Sequence, residues 1–272
     1  MALHKATGIP MIYHEHDSPE GDLGWRTTAW KYIHSNASMR IFPNESRGHE
    51  VNQRLGKKLP FQTVWNCCAK NEAQIVDKDL NSINLLYHGS IVPSRLPLTI
   101  VDAIKSTTEK VHLDVIGYET QSGIGHSNAL LNYADSHGCS TQISFHGPKT
   151  RNEILQFCNN AHIGFSLFHD AEKSVNETHM CGASVKVFEY LSRGVLPIVN
   201  THPTWRERFE ADKLAVTCDP KSAHSVSQAL DHAIHLIKRK NDSVRTMGPK
   251  KILSEWNYEQ QFDPVLKFLS KS

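Results

Sequence analysis

The segment ASVKVFEYLSRGVLPIV, Ala183 to Val199, carries the residues best suited to chemistry. It reads as a short helix from Ser184 to Arg193, a glycine stop and a buried strand, Leu196 to Asn200. Lys186 and Glu189 stand three residues apart, so they share one face of that helix. A lysine is a compact point charge, and a helix N-terminus adds backbone N–H groups and a favourable dipole. That combination, opened by Ser184, suits an anion; the competing reading is an exposed ion pair on a core helix. The residues before it, His169 to Gly182, form a long polar loop without obvious turn chemistry. A second cluster is His14-Glu15-His16-Asp17. A His-x-His pair at a strand end can hold zinc or iron. However, Asp17 follows His16 directly, so the spacing of the metallohydrolases is not met. His137 with Cys139 and His179 with Cys181 are isolated dipeptides. Metal-dependent hydrolysis through His14 and His16 is therefore the minor alternative, and no metal site is assigned.

The elements that must position these residues alternate between strands and helices. An early strand is expected over Gly8 to His16, a helix over Trp25 to Ala37, a strand over Ser38 to Ser46, an exposed helix near Glu50 to Leu55 and a short strand at Phe61 to Val64. Little periodicity follows up to Ser82. Beyond it the signals sharpen: strands at Ile83 to Gly89, Val111 to Gly117 and Thr141 to Gly147 each end in glycine. Helices are expected at Leu96 to Ser106 and Ser127 to Gly138, and Thr150 with Glu153 forms a capping box for a third. Strands at Ala161 to Phe168 and Leu214 to Cys218 and an amphipathic helix from Ser222 to Lys238 complete the series. This is an α/β pattern with parallel strands. In such sheets a ligand lies outside the carboxyl ends of the strands, where glycine lets the backbone approach a phosphate. The polar loop follows one of those ends and leads into the Lys186 helix.

Composition excludes less. The chain has 272 residues and a net charge of +2, which gives no reason to expect nucleic acid. The Lys238-Arg239-Lys240 run reads as a solvated helix end. No signal peptide or membrane span is apparent, and the six cysteines, Cys67 and Cys68 adjacent and the other four scattered, read as reduced thiols. A cytoplasmic protein is expected, with the inner membrane face as a peripheral alternative.

The segments LLYHGSIVPSR, FHGPKTRNEI and SVKVFEYLSRGVLPIV resemble the nucleotide-sugar-binding lobe of retaining GT-B glycosyltransferases, the group 1 or family 4-like type, over about Ile83 to Lys238. The resemblance implies a glycosyltransferase that takes a nucleoside-diphosphate sugar, with UDP or GDP as the expected base carrier, and a glycan or lipid-linked acceptor. Negative charge develops on the departing diphosphate, and fixed cations and N–H groups must stabilise it. Lys186 is the first cation. Arg95, in the turn after Gly89 and Ser90, supplies a second with fork geometry. The resemblance implies that Glu189 accepts hydrogen bonds from two vicinal ribose hydroxyls, and that the turn at His146-Gly147 meets the base. No Asp-x-Asp motif is present, so binding without a divalent metal or other cofactor is expected. Many relatives carry a further glutamate eight residues before Glu189; here that position is Cys181, and Ser174, Asn176 and Glu177 are the candidates to replace it.

By the same resemblance, residues 1–66 read as a partial acceptor lobe, residues 67–82 as a linker, 83–254 as the donor lobe and 255–272 as a helix returning to the acceptor lobe. His14 or His16 then becomes an acceptor-site or interdomain group. The sequence reads as entering the first lobe midway, at ALHKATGIP. An exposed sheet edge beside the Gly8-to-His16 strand is expected, a template for a partner chain or a second copy. A non-catalytic donor-binding subunit and a GT-B-like epimerase are the alternatives.

Overall fold

The computed structural model describes residues 7–21, 24–169, 174–239 and 243–270. The opening residues 1–6, residues 170–173 of the polar loop, Lys240 of the basic run and residues 271–272 of the expected last helix lie outside them. The chain divides into two compact units: residues 1–70, 171–185 and 255–272 form one, and residues 71–170 and 186–254 the other. In chain order the first unit opens with β1 (Ile12–His14), α1 (Trp25–Asn36), β2 (Met39–Phe42), α2 (Glu45–Leu55) and β3 (Gln62–Thr63). Then come β4 (Ile83–Ile91), α3 (Thr99–Ser106), β5 (Val111–Glu119), α4 (His126–Ser136), β6 (Ile143–Phe145), α5 (Arg151–Asn160) and β7 (Ile163–Ser166). The chain continues through α6 (Val185–Ser192), β8 (Leu196–Asn200), β9 (Val216–Cys218), α7 (Ala223–Lys238), α8 (Ser243–Ser254) and α9 (Tyr258–Leu269).

The second unit is a six-stranded parallel sheet in the order β6-β5-β4-β7-β8-β9. Its order reverses between β4 and β7, the topological switch point at which α/β sheets bind ligands. Strands such as β4 and β8 are apolar because helices cover both faces. Leu85, Phe165, Ile198 and Leu230 belong to one continuous core. Helix α6 docks closely because β7 carries Gly164. A β-carbon there would lie 2.6 Å from the Tyr190 ring, whose hydroxyl donates to the Phe165 carbonyl at 3.1 Å. Thr150 and Glu153 form the expected capping box on α5. Two strands overrun their expected glycine ends: β4 continues to Ile91 and β5 to Glu119, while β6 stops at Phe145.

The first unit holds a three-stranded parallel sheet in the order β1-β2-β3. Among the described residues β1 is shorter than expected and pairs with β2 alone. Helix α9 packs on this sheet, with Val265 against Ile41 and Val64. Helix α2 starts at Glu45, five residues earlier than expected. Asn44 caps it, its side-chain oxygen accepting from the Arg47 amide at 2.9 Å. The Asn44 side chain also donates to the carbonyls of His179 and Cys181, at 2.7 and 2.9 Å.

Arg47 is almost fully buried. Its guanidinium donates to the carbonyls of His16, Asn176 and His179 and to the Asp17 carboxylate. These bonds correct the reading of the polar loop as lacking turn chemistry. Ser174 caps a helical turn at Val175–Thr178, and Arg47 and Asn44 hold the carbonyls that follow. Four of the five tryptophans (Trp25, Trp30, Trp65 and Trp256) lie in this unit, so fluorescence reports its unfolding. Arg47→Met strands several buried carbonyls and is expected to cost roughly 3 kcal/mol. Denaturant unfolding followed by tryptophan fluorescence should show the lowered midpoint; an unchanged midpoint would contradict this anchoring role.

Candidate functional site

Three glycines lie side by side at the carboxyl ends of neighbouring strands. Gly89 of β4 is in register with Gly117 of β5, and the Gly117 amide donates to the Gly147 carbonyl at 3.0 Å. All three adopt positive φ, at 121°, 145° and 66°. A β-carbon on Gly117 would sit 1.8 Å from the Gly89 carbonyl oxygen. One on Gly89 would sit 2.7 Å from Cε of Lys186. The backbone at Gly89 is therefore bare on the side where the lysine arrives.

Lys186, in the first turn of α6, is 8% exposed. Its ammonium lies 5.1 Å from the Tyr87 ring centroid and 5.8 Å from that of Phe168. The Arg95 guanidinium lies 5.7 Å from the same Phe168 ring. The two cations named from the sequence thus both lie at cation–π distance from one aromatic ring. Ser90 follows Gly89 in β4 and its carbonyl accepts from the Tyr87 hydroxyl. Ser184, buried in the first unit, precedes α6 and its amide donates to the Met180 carbonyl at 3.0 Å.

Glu189 is 3% exposed, which rules out the solvent-exposed ion pair. Its partner is Arg151, the first residue of α5, at 2.5 Å through Oε1. Oε2 lies 3.3 Å from Nε2 of His88. Arg151 is held in turn by Glu72, with Nε and Nη2 donating at 2.5 and 2.8 Å. Burial raises the Glu189 pKa, and the Arg151 charge opposes that rise. Burial, with Lys186 and Arg151 nearby, pushes the His88 imidazole down to about 3. His88 is therefore neutral at ordinary pH and leaves the carboxylate to Arg151.

Arg151, Glu72 and His88 were not read as site residues from the sequence. Arg151 looks like a first-turn residue behind a capping threonine, His88 like part of a strand, and Glu72 lies in the aperiodic stretch read as linker. The residue before a strand-terminal glycine was the available signal for His88.

His146 sits just beyond β6. Its Nε2 lies 2.7 Å from Asp114 and its ring packs on Phe157. Of the loop candidates, Ser174 and Asn176 are engaged within the first unit. The Ser174 hydroxyl donates to Glu20 at 2.7 Å, and the Asn176 amide bonds both the N–H and the carbonyl of Ser18. Glu177 lies in the capped turn. In the cluster on β1, the Glu15 carboxylate is consumed by Ser18, Trp30 and His34, at 2.6, 2.7 and 2.9 Å. The His14 and His16 rings lie 4.2 Å apart, and His16 Nδ1 bonds Asn66 at 2.9 Å. Burial, with His16 beside it, pushes His14 down to about 4. Among the described residues no group of three or more metal-ligating side chains occurs, and no helix is long and apolar enough to cross a membrane.

The glycine contacts set an order of cost. Gly117→Ala drives a β-carbon into backbone that cannot move aside, and a loss above roughly 3 kcal/mol is expected. Gly89→Ala meets only the end of a flexible lysine and costs about 1–2 kcal/mol of backbone strain. Calorimetric melting of both variants should give that order; the reverse order would contradict the glycine shelf.

No family model matches the sequence, and no curated protein matches it. Solved structures do match. The chain aligns with HepE of Anabaena in complex with UDP-glucose at 13% identity and a TM-score of 0.76, covering 100% of this chain and 75% of that one. A glycosyltransferase from Rickettsia africae aligns at 9% identity and a TM-score of 0.77, covering 98% and 72%. Sucrose-phosphate synthase from Thermosynechococcus elongatus aligns at 11% identity and a TM-score of 0.76, covering 99% and 69%. The fold of this chain is the GT-B fold of these glycosyltransferases.

Proposed function

We propose that the chain binds a nucleoside-diphosphate sugar, with UDP or GDP as the nucleotide, and transfers the sugar to a glycan or lipid-linked acceptor without a divalent metal. One observation carries the reading. Two cations, Lys186 and Arg95, converge on the Phe168 ring at a glycine-lined strand end, and a buried carboxylate, Glu189, lies one turn along the same helix. HepE, crystallised with UDP-glucose, supports the choice of ligand class.

The chemistry follows from the charges. The bond from the anomeric carbon to the diphosphate oxygen breaks and its electron pair leaves with the diphosphate, while an acceptor hydroxyl oxygen bonds to that carbon and its proton passes to the departing phosphate oxygen. Lys186 and Arg95 stabilise that developing charge at a site partly withdrawn from water. The bare backbone of Gly89 lets phosphate oxygens approach the strand end. Glu189 accepts the ribose hydroxyls, and the backbone at His146-Gly147 faces the base.

Lys186→Ala removes a charge-assisted contact and is expected to weaken binding of UDP or GDP by tenfold or more, from roughly 1.5–3 kcal/mol per charged hydrogen bond. Glu189→Gln should weaken it comparably while the protein stays folded. Calorimetric titration reads both, and parent-like affinity in both variants would remove the site assignment. The same titration in EDTA and then in excess magnesium or manganese tests the metal. Equal affinities are expected; binding seen only with metal would overturn the cation-based site.

A further inference from the structure

We infer that the Arg151–Glu72 pair is a positioning device, which holds the Glu189 carboxylate in one orientation and keeps it charged for the ribose. The inference rests on the reading of Glu189 as the acceptor for a vicinal diol. It concerns residues that do not themselves touch the nucleotide in that reading.

A guanidinium carries five N–H donors in one rigid plane. Glu72 engages Arg151 through both Nε and Nη2, at 2.5 and 2.8 Å, which fixes that plane. Nη1 is then directed at Glu189 Oε1, at 2.5 Å. The burden is uneven: the Arg151 side chain is 44% exposed, whereas that of Glu189 is only 4% exposed. A partly solvated charge therefore reaches in to compensate a buried one. A carboxylate offers about four lone-pair sites. Arg151 uses one, so acceptor capacity remains for two hydroxyls.

The other groups facing Glu189 do not replace this charge. His88 on β4 is close but neutral. Cys158 on α5 is a buried thiol held far above neutral pH, at about 12. Glu72 is itself negative and disfavours a second carboxylate. Tyr190, on the same helix, stays protonated. Lys186, also on that helix, acts on Glu189 less strongly than Arg151 does and is assigned to the diphosphate. Burial already holds the Glu189 proton above the usual carboxylate range, and without Arg151 it would be retained to higher pH still. A protonated Glu189 is a poorer acceptor for two hydroxyls, so ribose recognition weakens as pH falls and returns as pH rises.

The test is calorimetric titration of UDP, GDP and ADP and of their 2′-deoxy counterparts, between about pH 6 and about pH 8. The parent should prefer the ribonucleotide at every pH. Arg151→Gln should lose much of that preference at the acidic end, where the Glu189 proton is retained, and regain it toward the alkaline end. Arg151→Lys should restore it only in part, because the charge returns but an ammonium cannot engage Glu72 and Glu189 in one plane. Glu72→Gln, which leaves Arg151 in place and removes a negative charge beside Glu189, should lower the preference at every pH through lost orientation alone, and keeps the test open should Arg151→Gln fail to fold. A variant with the parent's preference and flat pH profile overturns the inference and leaves the diol reading intact. Tighter ribonucleotide binding by Arg151→Gln overturns it too, by showing that Arg151 competes for the carboxylate. A parent indifferent to the 2′-hydroxyl overturns the diol reading first, and the inference with it.

Discussion

The space where Gly89 has no β-carbon is the constraint on which the second unit's site depends. Lys186 enters that space, and only because the neighbouring strand is also glycine there does the backbone close up around it. A side chain at Gly89 would push the ammonium away from the sheet, and one at Gly117 would collide with the Gly89 carbonyl. The topology then puts this shelf where the strand order reverses, between β4 and β7. Helix α6 can deliver Lys186 there because Gly164 lets Tyr190 bury its ring against β7. Gly89 and Gly117, which look like strand-ending punctuation in the sequence, and Gly164, inside its strand, are thus close-packing requirements.

Adjacent residues of β4 receive the two charged groups of α6. Gly89 faces Lys186 and His88 faces Glu189. A helix that buries one cation and one anion a turn apart must compensate both. Aromatic faces surround the cation. The anion is met by an arginine anchored from the surface by Glu72. Its neighbour His88 is kept neutral by burial and by two nearby positive charges, so it does not compete for the role.

Much of this was legible in the sequence. Alternating apolar runs and helical periodicity reveal the parallel sheet because both faces of its strands are buried. The glycine endings and the Lys186–Glu189 spacing mark the site because backbone approach and helix geometry are local properties. The rest depended on contacts between distant segments. Nothing near Arg151 announces that it spans Glu72 and Glu189, which are 79 and 38 residues away in the chain. The early start of α2 was missed because Pro43 and Asn44 read as a turn, whereas Asn44 is a helix cap. The polar loop looked shapeless because its partners, Asn44 and Arg47, lie more than a hundred residues earlier.

A crystal structure of the chain with bound nucleoside diphosphate tests the central claim most directly. Phosphate oxygens are expected within about 3 Å of Lys186 Nζ, and the ribose hydroxyls at similar distance from the Glu189 carboxylate. A nucleotide bound elsewhere, with the Gly89 shelf and Lys186 left untouched, would contradict it.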